Sequence, residues 1–275
     1  MPYIIAEIGN NHDGNQDLAL TLVGEAIRCG VDCVKMQLFR ADQLVRRDAP
    51  AVPHAGGDKT QWVRIRALEL PFWVYESASN MCHGAGKHFM VSAFDRESML
   101  SVYPICDKIK VASGDLTHQP VLRAAADTGK PVVLSTGMAE LVEIAKAIHV
   151  CNPETVMHCV SLYPCPPDKA NLGRIRYLMA YFSSRKIGYS DHCIGFVACL
   201  VASAMGADVI EKHFTGSYSS KSADASHSAD IQEMQAIVDW CNDADLMMKK
   251  CHALTDVESR AWMRRGEDGL RGNYI

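Results

Sequence analysis

Long apolar runs and clusters of basic residues are both missing from this sequence. A helix that crosses a membrane needs about 20 apolar residues in succession, and no stretch of the chain approaches that length. The opening residues, Met1–Glu7, contain no basic leader followed by an apolar core of the kind that directs secretion. A formal net charge of -4 and the absence of a basic run argue against nucleic acid as a partner. We therefore expect a cytoplasmic protein that binds neither membranes nor nucleic acid.

Cysteine is plentiful, but it lacks the spacing of a disulfide framework or of a thiolate metal site. The eleven cysteines are odd in number and scattered, and none of them forms a Cys-x-x-Cys pair. Several fall inside apolar segments, which is typical of reduced thiols in a cytosolic protein. We therefore expect free and mostly buried cysteines.

Short apolar segments, many of them rich in β-branched residues, alternate with longer amphipathic segments. Because the short segments are apolar throughout, they predict strands that are buried on both faces, as in a parallel sheet. The eight predicted strands are Tyr3–Ile8, Asp32–Gln37, His88–Ala93, Lys108–Ala112, Pro131–Ser135, Thr155–Val160, Ile187–Ser190 and Asp208–His213. Helical patterns fall between and after them, at residues 16–29, 71–86, 95–103, 118–128, 139–150, 171–183, 195–206 and 230–252.

Eight β/α units in a chain of 275 residues predict a closed (β/α)8 TIM barrel, since such barrels take about 250 residues as one domain. An open, doubly wound sheet is the alternative. We expect the barrel to span residues 1–263, and residues 264–275, which are polar and rich in glycine, to form a tail. Residues 40–61 predict one long connection after the second strand, where lids and binding loops are common.

Polar side chains stand at the ends of most predicted strands, which is where barrels of this class carry their chemistry. Lys35 and Lys110 lie near the ends of the second and fourth strands, so both could reach one centre above the barrel. Together with Ser113 and the turn Ser135–Gly137, which precedes a helix, they predict a site for an anion such as phosphate. The alternative is that the charged strand ends pair with one another beneath the loops.

Two histidines follow or end adjacent predicted strands. His192 follows the seventh strand and His213 ends the eighth, and neighbouring strands lie about 4.8 Å apart, so both imidazoles could bind one divalent ion. Two satisfied core histidines are the alternative. Possible additional or supporting metal groups are Asp191, Glu211 and Asp224, whereas His12 could instead organise a turn.

A series of motifs runs in order along residues 3 to 240. They are Ala6–Gly14, Val34–Gln37, Lys110–Gly114, Leu134–Met138, Tyr163–Pro166 with Asn171 and Leu172, Gly188–His192 and Ile210–Thr215. Together these motifs resemble those of the N-acetylneuraminate (sialic acid) synthases. The resemblance implies a TIM-barrel enzyme that condenses phosphoenolpyruvate with N-acetylmannosamine or a related aldose. It also implies a divalent metal cofactor, manganese or a similar ion, and a 3-deoxy-2-keto sugar acid as product.

The resemblance also implies roles for individual residues. The metal ligands correspond to His192 and His213, which with Glu7 form the expected catalytic set. Expected contacts to phosphoenolpyruvate are Lys35, Ser92, Lys110, Ser113, Ser135, Ser161 and Ser190. Expected contacts to the sugar are Glu7, Gln37, Phe94, Tyr163 and Asp224. In the implied reaction C3 of phosphoenolpyruvate attacks the aldehyde carbon, water adds at C2 and phosphate leaves by C–O cleavage.

The sequence departs from the family pattern after the eighth strand. Family members usually continue into an antifreeze-protein-like domain that supplies an arginine to the sugar on the partner subunit, whereas this sequence ends at Ile275. The residues Thr215–Tyr218 and Ser226–Ser228 also differ from the usual loop. We therefore expect a short form of the family that can assemble as a homodimer. The identity of its aldose substrate is left open. Another metal-dependent barrel aldolase or synthase is one alternative function, and a non-catalytic subunit is the other.

Overall fold

The computed structural model of the chain describes residues 1–50, 60–217 and 222–248. Eight parallel strands form a closed barrel, in which each strand pairs with the next along the chain and β8 returns to pair with β1. The strands are β1 (Tyr3–Glu7), β2 (Cys33–Leu38), β3 (His88–Ala93), β4 (Lys108–Val111), β5 (Val132–Ser135), β6 (Thr155–His158), β7 (Lys186–Asp191) and β8 (Val209–Gly216). The predicted (β/α)8 barrel is confirmed, and the open doubly wound sheet is excluded.

A layer of apolar side chains fills the interior of the barrel. This layer consists of Ile5, Cys33, Met90, Val133, Met157 and Val209, each from a different strand. Because side chains alternate between the two faces of a strand, the residue two positions further along points into the same interior, nearer the carboxyl end. Ile5 is thus followed by Glu7, and Cys33 by Lys35. The strand pattern therefore stacks charged groups directly above the apolar layer.

Helices surround the barrel and bury its outer face. They are α1 (Gln16–Arg28), α2 (Ala41–Leu44), α3 (Gln61–Leu68), α4 (Phe72–Gly84), α5 (Arg96–Val102), α6 (Gln119–Asp127), α7 (Leu141–Cys151), α8 (Gly173–Tyr181), α9 (Val197–Ala204) and α10 (Ile231–Met248). In α1 the side chain of Asn15 accepts a hydrogen bond from the N–H of Leu18, which begins the helix. Its buried positions recur every three or four residues, at Ala19, Leu22, Val23 and Ala26.

The connection after β2 contains more regular structure than the sequence predicts. Within residues 40–61, which were expected to form one long connection, Ala41–Leu44 forms a short helix, and α3 begins at Gln61. The N–H of Ala41 donates to the carboxylate of Glu69, and the side chain of Thr60 accepts from the first turn of α3. Helices of four and eight residues give too few repeats for hydrophobic periodicity to reveal them, so the sequence predicted neither of the two.

Two expectations about composition can be compared with the described part of the chain. Its ten cysteines are free and buried, as the sequence predicts. No helix among the described residues is long and apolar enough to cross a bilayer. The predicted tail, residues 264–275, lies outside the described residues, as do residues 51–59 of the long connection and the last four positions, 249–252, of the predicted final helix.

Candidate active site

The carboxyl ends of the strands surround one polar cavity of about 70 Å³. Its lining comprises Glu7, Lys35, Gln37, Ser92, Phe94, Lys110, Ala112, Ser113, Ser135, Cys159, Tyr163, Ser190, His192, Glu211 and His213. Two predicted site residues, Ser161 and Asp224, are absent from this lining and lie beside residues that belong to it. Larger cavities of about 440–450 Å³ also occur among the described residues. One of them contains lysines, carboxylates and His88, but these side chains are half-buried or exposed. The chemistry therefore favours the smaller cavity.

Two lysines and two glutamates form a buried ionic network on the inner face of the barrel. The ammonium group of Lys35 lies 3.1 Å from Oε2 of Glu7 and 3.2 Å from Oε1 of Glu211. Lys110 donates a hydrogen bond of 2.6 Å to Oε2 of Glu211. The same carboxylate accepts a hydrogen bond of 2.9 Å from the hydroxyl of Ser190. Glu211 therefore holds both lysines at one point, while their charges are balanced by carboxylates.

The network sets the ionisation of its members. Burial favours the protonated form of Glu211, but Lys110 and Lys35 outweigh that effect and lower its pKa to about 2. Burial likewise opposes the charge of Lys35, yet Glu211 and Glu7 raise its pKa. For Lys110 burial prevails and the pKa is lowered, and for Glu7 burial raises the pKa. Glu7 is thus the carboxylate of the pair that more readily takes up a proton.

Glu7 is also the group that connects the network to the rim. Its Oε1 accepts a hydrogen bond of 2.5 Å from the amide Nε2 of Gln37 on the neighbouring strand. Lys35 in turn contacts the hydroxyl of Ser92 at 3.4 Å. The predicted sugar contacts Glu7 and Gln37 therefore lie directly beside the predicted contacts to phosphoenolpyruvate.

Hydroxyl groups and a backbone amide gather at the start of the turn after β5. The N–H of Gly137 donates to the hydroxyl of Ser113 at 3.1 Å, and that hydroxyl lies 3.0 Å from the thiol of Cys159. A Cβ at Gly137 would lie within about 3.0 Å of the hydroxyls of Ser113 and Ser161 and of the thiol of Cys159. Glycine is therefore needed there for the close approach of these groups. The cluster offers an anion several donors without a further charge.

The two predicted metal ligands face each other at the mouth. The ring centres of His192 and His213 are 5.5 Å apart, and Tyr163 packs against His192 with ring centres 4.2 Å apart. Nδ1 of His192 donates to the carbonyl of Val160 at 2.7 Å, so its Nε2 carries the lone pair. Burial lowers the pKa of His192 to about 4 and lowers that of His213 as well. Both imidazoles are therefore neutral at pH 7, as metal ligands must be.

A turn after β8 adds a carboxylate and a third imidazole to this mouth. Nδ1 of His213 lies 3.5 Å from Oδ2 of Asp224, which accepts a hydrogen bond of 2.8 Å from the N–H of Asn10. Ligand atoms of His213, Asp224 and His227 all lie within 4.8 Å of one another. Gly9 has a φ of +52°, and a Cβ there would collide with His213 and Asp224. These nitrogen and oxygen donors suit a divalent ion, so the residues present fit the expected metal.

Three polar residues near the strand ends do not belong to the cavity. Asp191, expected as a possible metal group, points away from the barrel interior and accepts hydrogen bonds from Lys212 at 2.7 Å and from Tyr189 at 2.9 Å. Successive side chains point to opposite faces of a strand. Glu211 and His213 therefore occupy the inner face of β8, Lys212 between them occupies the outer face, and Asp191 pairs with Lys212 there. His12 accepts from the N–H of Gly14 at 3.0 Å, so it organises the turn, as one of its two interpretations predicts.

The structure also shows site residues that the sequence did not assign, and one to which it gave a different role. Cys159 follows β6 two residues before Ser161, and it lines the cavity. His227 is fully buried in the turn Ala225–His227, opposite the two predicted ligands. Glu211, expected as a possible metal group, instead contacts the two lysines. The sequence could have indicated that Glu211 faces the cavity, because it lies two residues before His213 and that spacing places both side chains on one face of a strand.

The sequence is similar to those of several known proteins. A model of the NeuB family matches residues 22–253. The N,N'-diacetyllegionaminic acid synthase of Legionella pneumophila is 34% identical over 280 residues, which cover 96% of this chain and 78% of that protein. The pseudaminic acid synthase of Campylobacter jejuni is 32% identical over 259 residues, covering 88% and 74% respectively.

A solved structure resembles the whole described barrel. It is an N-acetylneuraminic acid (sialic acid) synthetase from Leptospira borgpetersenii in complex with citrate. The two proteins superpose with a TM-score of 0.82 at 28% identity, over 94% of this chain and 88% of that one.

Proposed function

The chain belongs to the NeuB family, and we propose that it condenses phosphoenolpyruvate with an open-chain aldose to give a 3-deoxy-2-keto sugar acid and phosphate. The family resemblance predicted from the motifs is confirmed by the match over residues 22–253, and the chain is therefore an enzyme. The relatives are named as synthases of N,N'-diacetyllegionaminic acid, pseudaminic acid and N-acetylneuraminate 9-phosphate. The proposed product is accordingly a nonulosonic acid, and N-acetylmannosamine or a related acetamido sugar is the proposed acceptor.

The observation that carries this proposal is the pair of buried lysines aimed at one point. The side chains of Lys35 and Lys110 are about 2–5% exposed, and a single carboxylate, Glu211, reaches both ammonium groups. A phosphate or carboxylate of phosphoenolpyruvate can take over these two charged hydrogen bonds, each of which is worth about 1.5–3 kcal/mol. We propose that Ser92, Ser113, Ser135, Ser161 and Ser190 complete the anion site.

We propose that the sugar lies above the anion site, between the rim residues. Glu7 and Gln37 offer a carboxylate and an amide to hydroxyl groups, and Phe94 and Tyr163 offer ring faces to the sugar carbons. Asp224 lies on the turn that covers the other side of the mouth. The raised pKa of Glu7 suits it to accept and return a hydroxyl proton during the reaction.

We propose that His192 and His213 hold the divalent ion, with manganese as the expected metal. A bound divalent ion supplies Lewis-acid polarisation of a carbonyl oxygen. A bond forms between C3 of phosphoenolpyruvate and the aldehyde carbon, water adds at C2, and the C2–O bond to phosphate breaks. The two lysines and the serines retain the departing phosphate, and Glu7 is the proposed proton carrier.

An aldose screen tests the proposal. The purified protein is incubated with phosphoenolpyruvate, Mn²⁺ and a panel of aldoses that includes N-acetylmannosamine, and phosphate release is followed. We expect release that depends on one type of sugar and on the metal, together with a keto acid of the combined carbon count by mass spectrometry. His213→Ala should abolish turnover while leaving the unfolding transition of the apo protein intact.

Two results would contradict the proposal. Cleavage of a keto sugar acid without any dependence on phosphate would favour another metal-dependent barrel aldolase. Absence of any turnover across the panel, with phosphoenolpyruvate binding also absent, would favour a non-catalytic subunit. The expected cytoplasmic location and homodimer remain predictions from the sequence, and so does the extent of the barrel unit, residues 1–263.

A further inference from the structure

We propose that His227 is a third imidazole ligand of the metal site, so that this chain binds its metal through three histidines and Asp224. The inference rests on the proposed function only in taking the same ion as the one used in the reaction. His227 lies in the turn Ala225–His227, within the stretch whose sequence departs from the family pattern. Its side chain is fully buried, and it faces the two histidines carried by the ends of β7 and β8.

Two of the three distances between the rings are those expected of rings that share an ion, and the third is slightly longer. A metal–nitrogen bond is about 2.1 Å, and the centre of an imidazole lies about 1.1 Å beyond its nitrogen. Rings bound at angles of about 90–120° therefore have centres about 4.5–5.5 Å apart. The centres of His213 and His227 are 4.7 Å apart, those of His192 and His213 are 5.5 Å apart, and those of His192 and His227 are 5.9 Å apart. The three rings thus form a compact triangle around one point.

The ligand atoms of three of the four proposed ligand residues also lie close together. Those of His213, Asp224 and His227 lie within 4.8 Å of one another, and atoms that share an ion are about 3–4 Å apart. A side-chain movement of about 1 Å therefore suffices to close the set. His192 lies outside this set of three and has to approach it further. Nε2 is the atom that it can offer to the ion, because its Nδ1–H already donates to a backbone carbonyl.

The turn that carries His227 is tied to the loop after β1. The hydroxyl of Ser228 donates to the carbonyl of Asp224 at 2.7 Å, and the same hydroxyl accepts from the side-chain amide of Asn11 at 2.7 Å. Oδ1 of Asn11 in turn accepts from the hydroxyl of Ser222 at 2.7 Å. These bonds fix the turn over the mouth independently of any substrate. A ligand on such a fixed element is preorganised, so the metal should bind without phosphoenolpyruvate or sugar.

The donor set has a consequence for metal preference. Imidazole nitrogen favours cobalt, nickel and zinc, whereas oxygen-rich sites suit manganese and magnesium. A third imidazole should therefore add more affinity for Co²⁺ or Zn²⁺ than for Mn²⁺. Loss of His227 should lower the preference for Co²⁺ as well as the affinity itself.

Metal titration of the substrate-free full chain tests the inference. The apo protein is titrated with Co²⁺ and separately with Mn²⁺ by calorimetry, and the visible absorption of bound Co²⁺ is recorded. We expect His227→Ala to weaken Co²⁺ binding by at least about tenfold, to weaken Mn²⁺ binding less, and to change the Co²⁺ spectrum. The matched control is His149→Ala, which removes an exposed histidine from α7 and should leave both titrations unchanged.

A second variant guards against loss of folding. His227→Gln keeps a polar side chain of similar reach, and its unfolding midpoint without metal is compared with that of the unaltered protein. The inference is overturned if both variants bind Co²⁺ within twofold of the unaltered protein while His213→Ala loses binding. Failure of the aldose screen with a clear effect of His227→Ala on Co²⁺ would instead contradict the proposed reaction and leave the third ligand standing.

Discussion

The ammonium group of Lys110 lies 2.6 Å from Oε2 of Glu211, and both side chains are almost completely buried at the mouth of the barrel. The other oxygen of the same carboxylate reaches Lys35 at 3.2 Å. One anion therefore holds together two cations that would otherwise repel each other. The lysines remain paired and aimed at one point, so an anionic substrate meets donors that need little reorganisation.

Replacement of Glu211 should destabilise the fold in a way that an anion can offset. Glu211→Gln leaves two buried ammonium groups near one remaining carboxylate, and we expect the free energy of unfolding to fall by about 3–5 kcal/mol. Inorganic phosphate should recover part of this loss, because it supplies the missing negative charge. Urea unfolding with and without phosphate measures both effects.

Glu97→Gln is the matched control, since Glu97 pairs with Arg40 on the surface. Exposed pairs contribute about 0–1 kcal/mol, so this variant should unfold like the unaltered protein and show no added response to phosphate. Equal stability of Glu211→Gln and the control would contradict the role of Glu211 as the centre of the network.

Removal of Lys110 should chiefly weaken the binding of phosphoenolpyruvate. Loss of one charged hydrogen bond predicts a decrease of about 1.5–3 kcal/mol in binding free energy for Lys110→Ala, measured by calorimetry with phosphoenolpyruvate. Lys108 provides the control, because it lies on the same strand but its ammonium group pairs with Glu154 at 2.6 Å around a different cavity. If Lys108→Ala and Lys110→Ala weakened binding equally, a general effect on β4 would account for the result.

Crowding the turn after β5 should affect the anion site and leave the metal site intact. The added Cβ of Gly137→Ala would press against the hydroxyls of Ser113 and Ser161 and the thiol of Cys159. Overpacking of this kind costs about 1–3 kcal/mol. We expect this cost to raise the KM for phosphoenolpyruvate and to leave the affinity for Co²⁺ unchanged. Gly114→Ala serves as the comparison, because a Cβ at Gly114 meets no atom within 4 Å. Identical KM values for the two variants would argue against a phosphate site at this turn.

The buried ring of His12 should make stability depend on pH. Burial lowers the pKa of His12 from 6.5 to about 4, so the unfolded chain binds a proton that the folded chain rejects. The contribution is therefore complete above pH 6.5 and is lost as the pH falls from 6.5 to 4, by up to about 3 kcal/mol. His12→Asn can still accept from the N–H of Gly14 but cannot titrate. The unfolding free energy of this variant should fall less steeply between pH 6.5 and pH 4. If the unfolding free energies of the two proteins fell in parallel with pH, His12 would not be the cause of the pH dependence.

The barrel and the centre of the site were predictable because they depend on local patterns. Each strand is a short apolar run, and each charged strand end stands out against it, as at Lys35 and Lys110. The inward or outward direction of neighbouring charges was harder to predict. Asp191 and Lys212 come from the same strand ends as the site residues, yet they pair on the outer face, since one position along a strand reverses the direction.

The contribution of His227 on the turn after β8 could not be derived from the sequence. His227 approaches His192 and His213 only because the chain folds back through Ala225–His227 and a two-residue strand, Ala229–Asp230, beside β8. Such a return depends on long-range hydrogen bonds, for example between Asn11 and the carbonyl of Phe214. No periodicity records these contacts.

The three consecutive residues Glu211, Lys212 and His213 serve opposite sides of the barrel wall. Removing a single residue from the earlier part of β8 would rotate this triplet, so that the ammonium group entered the mouth while the carboxylate and the imidazole met the helices. During evolution, β8 can therefore accept substitutions of its side chains, whereas its length has to stay constant. Among diverging relatives, gaps in an alignment should accumulate in the segments on either side of β8 and spare the strand itself.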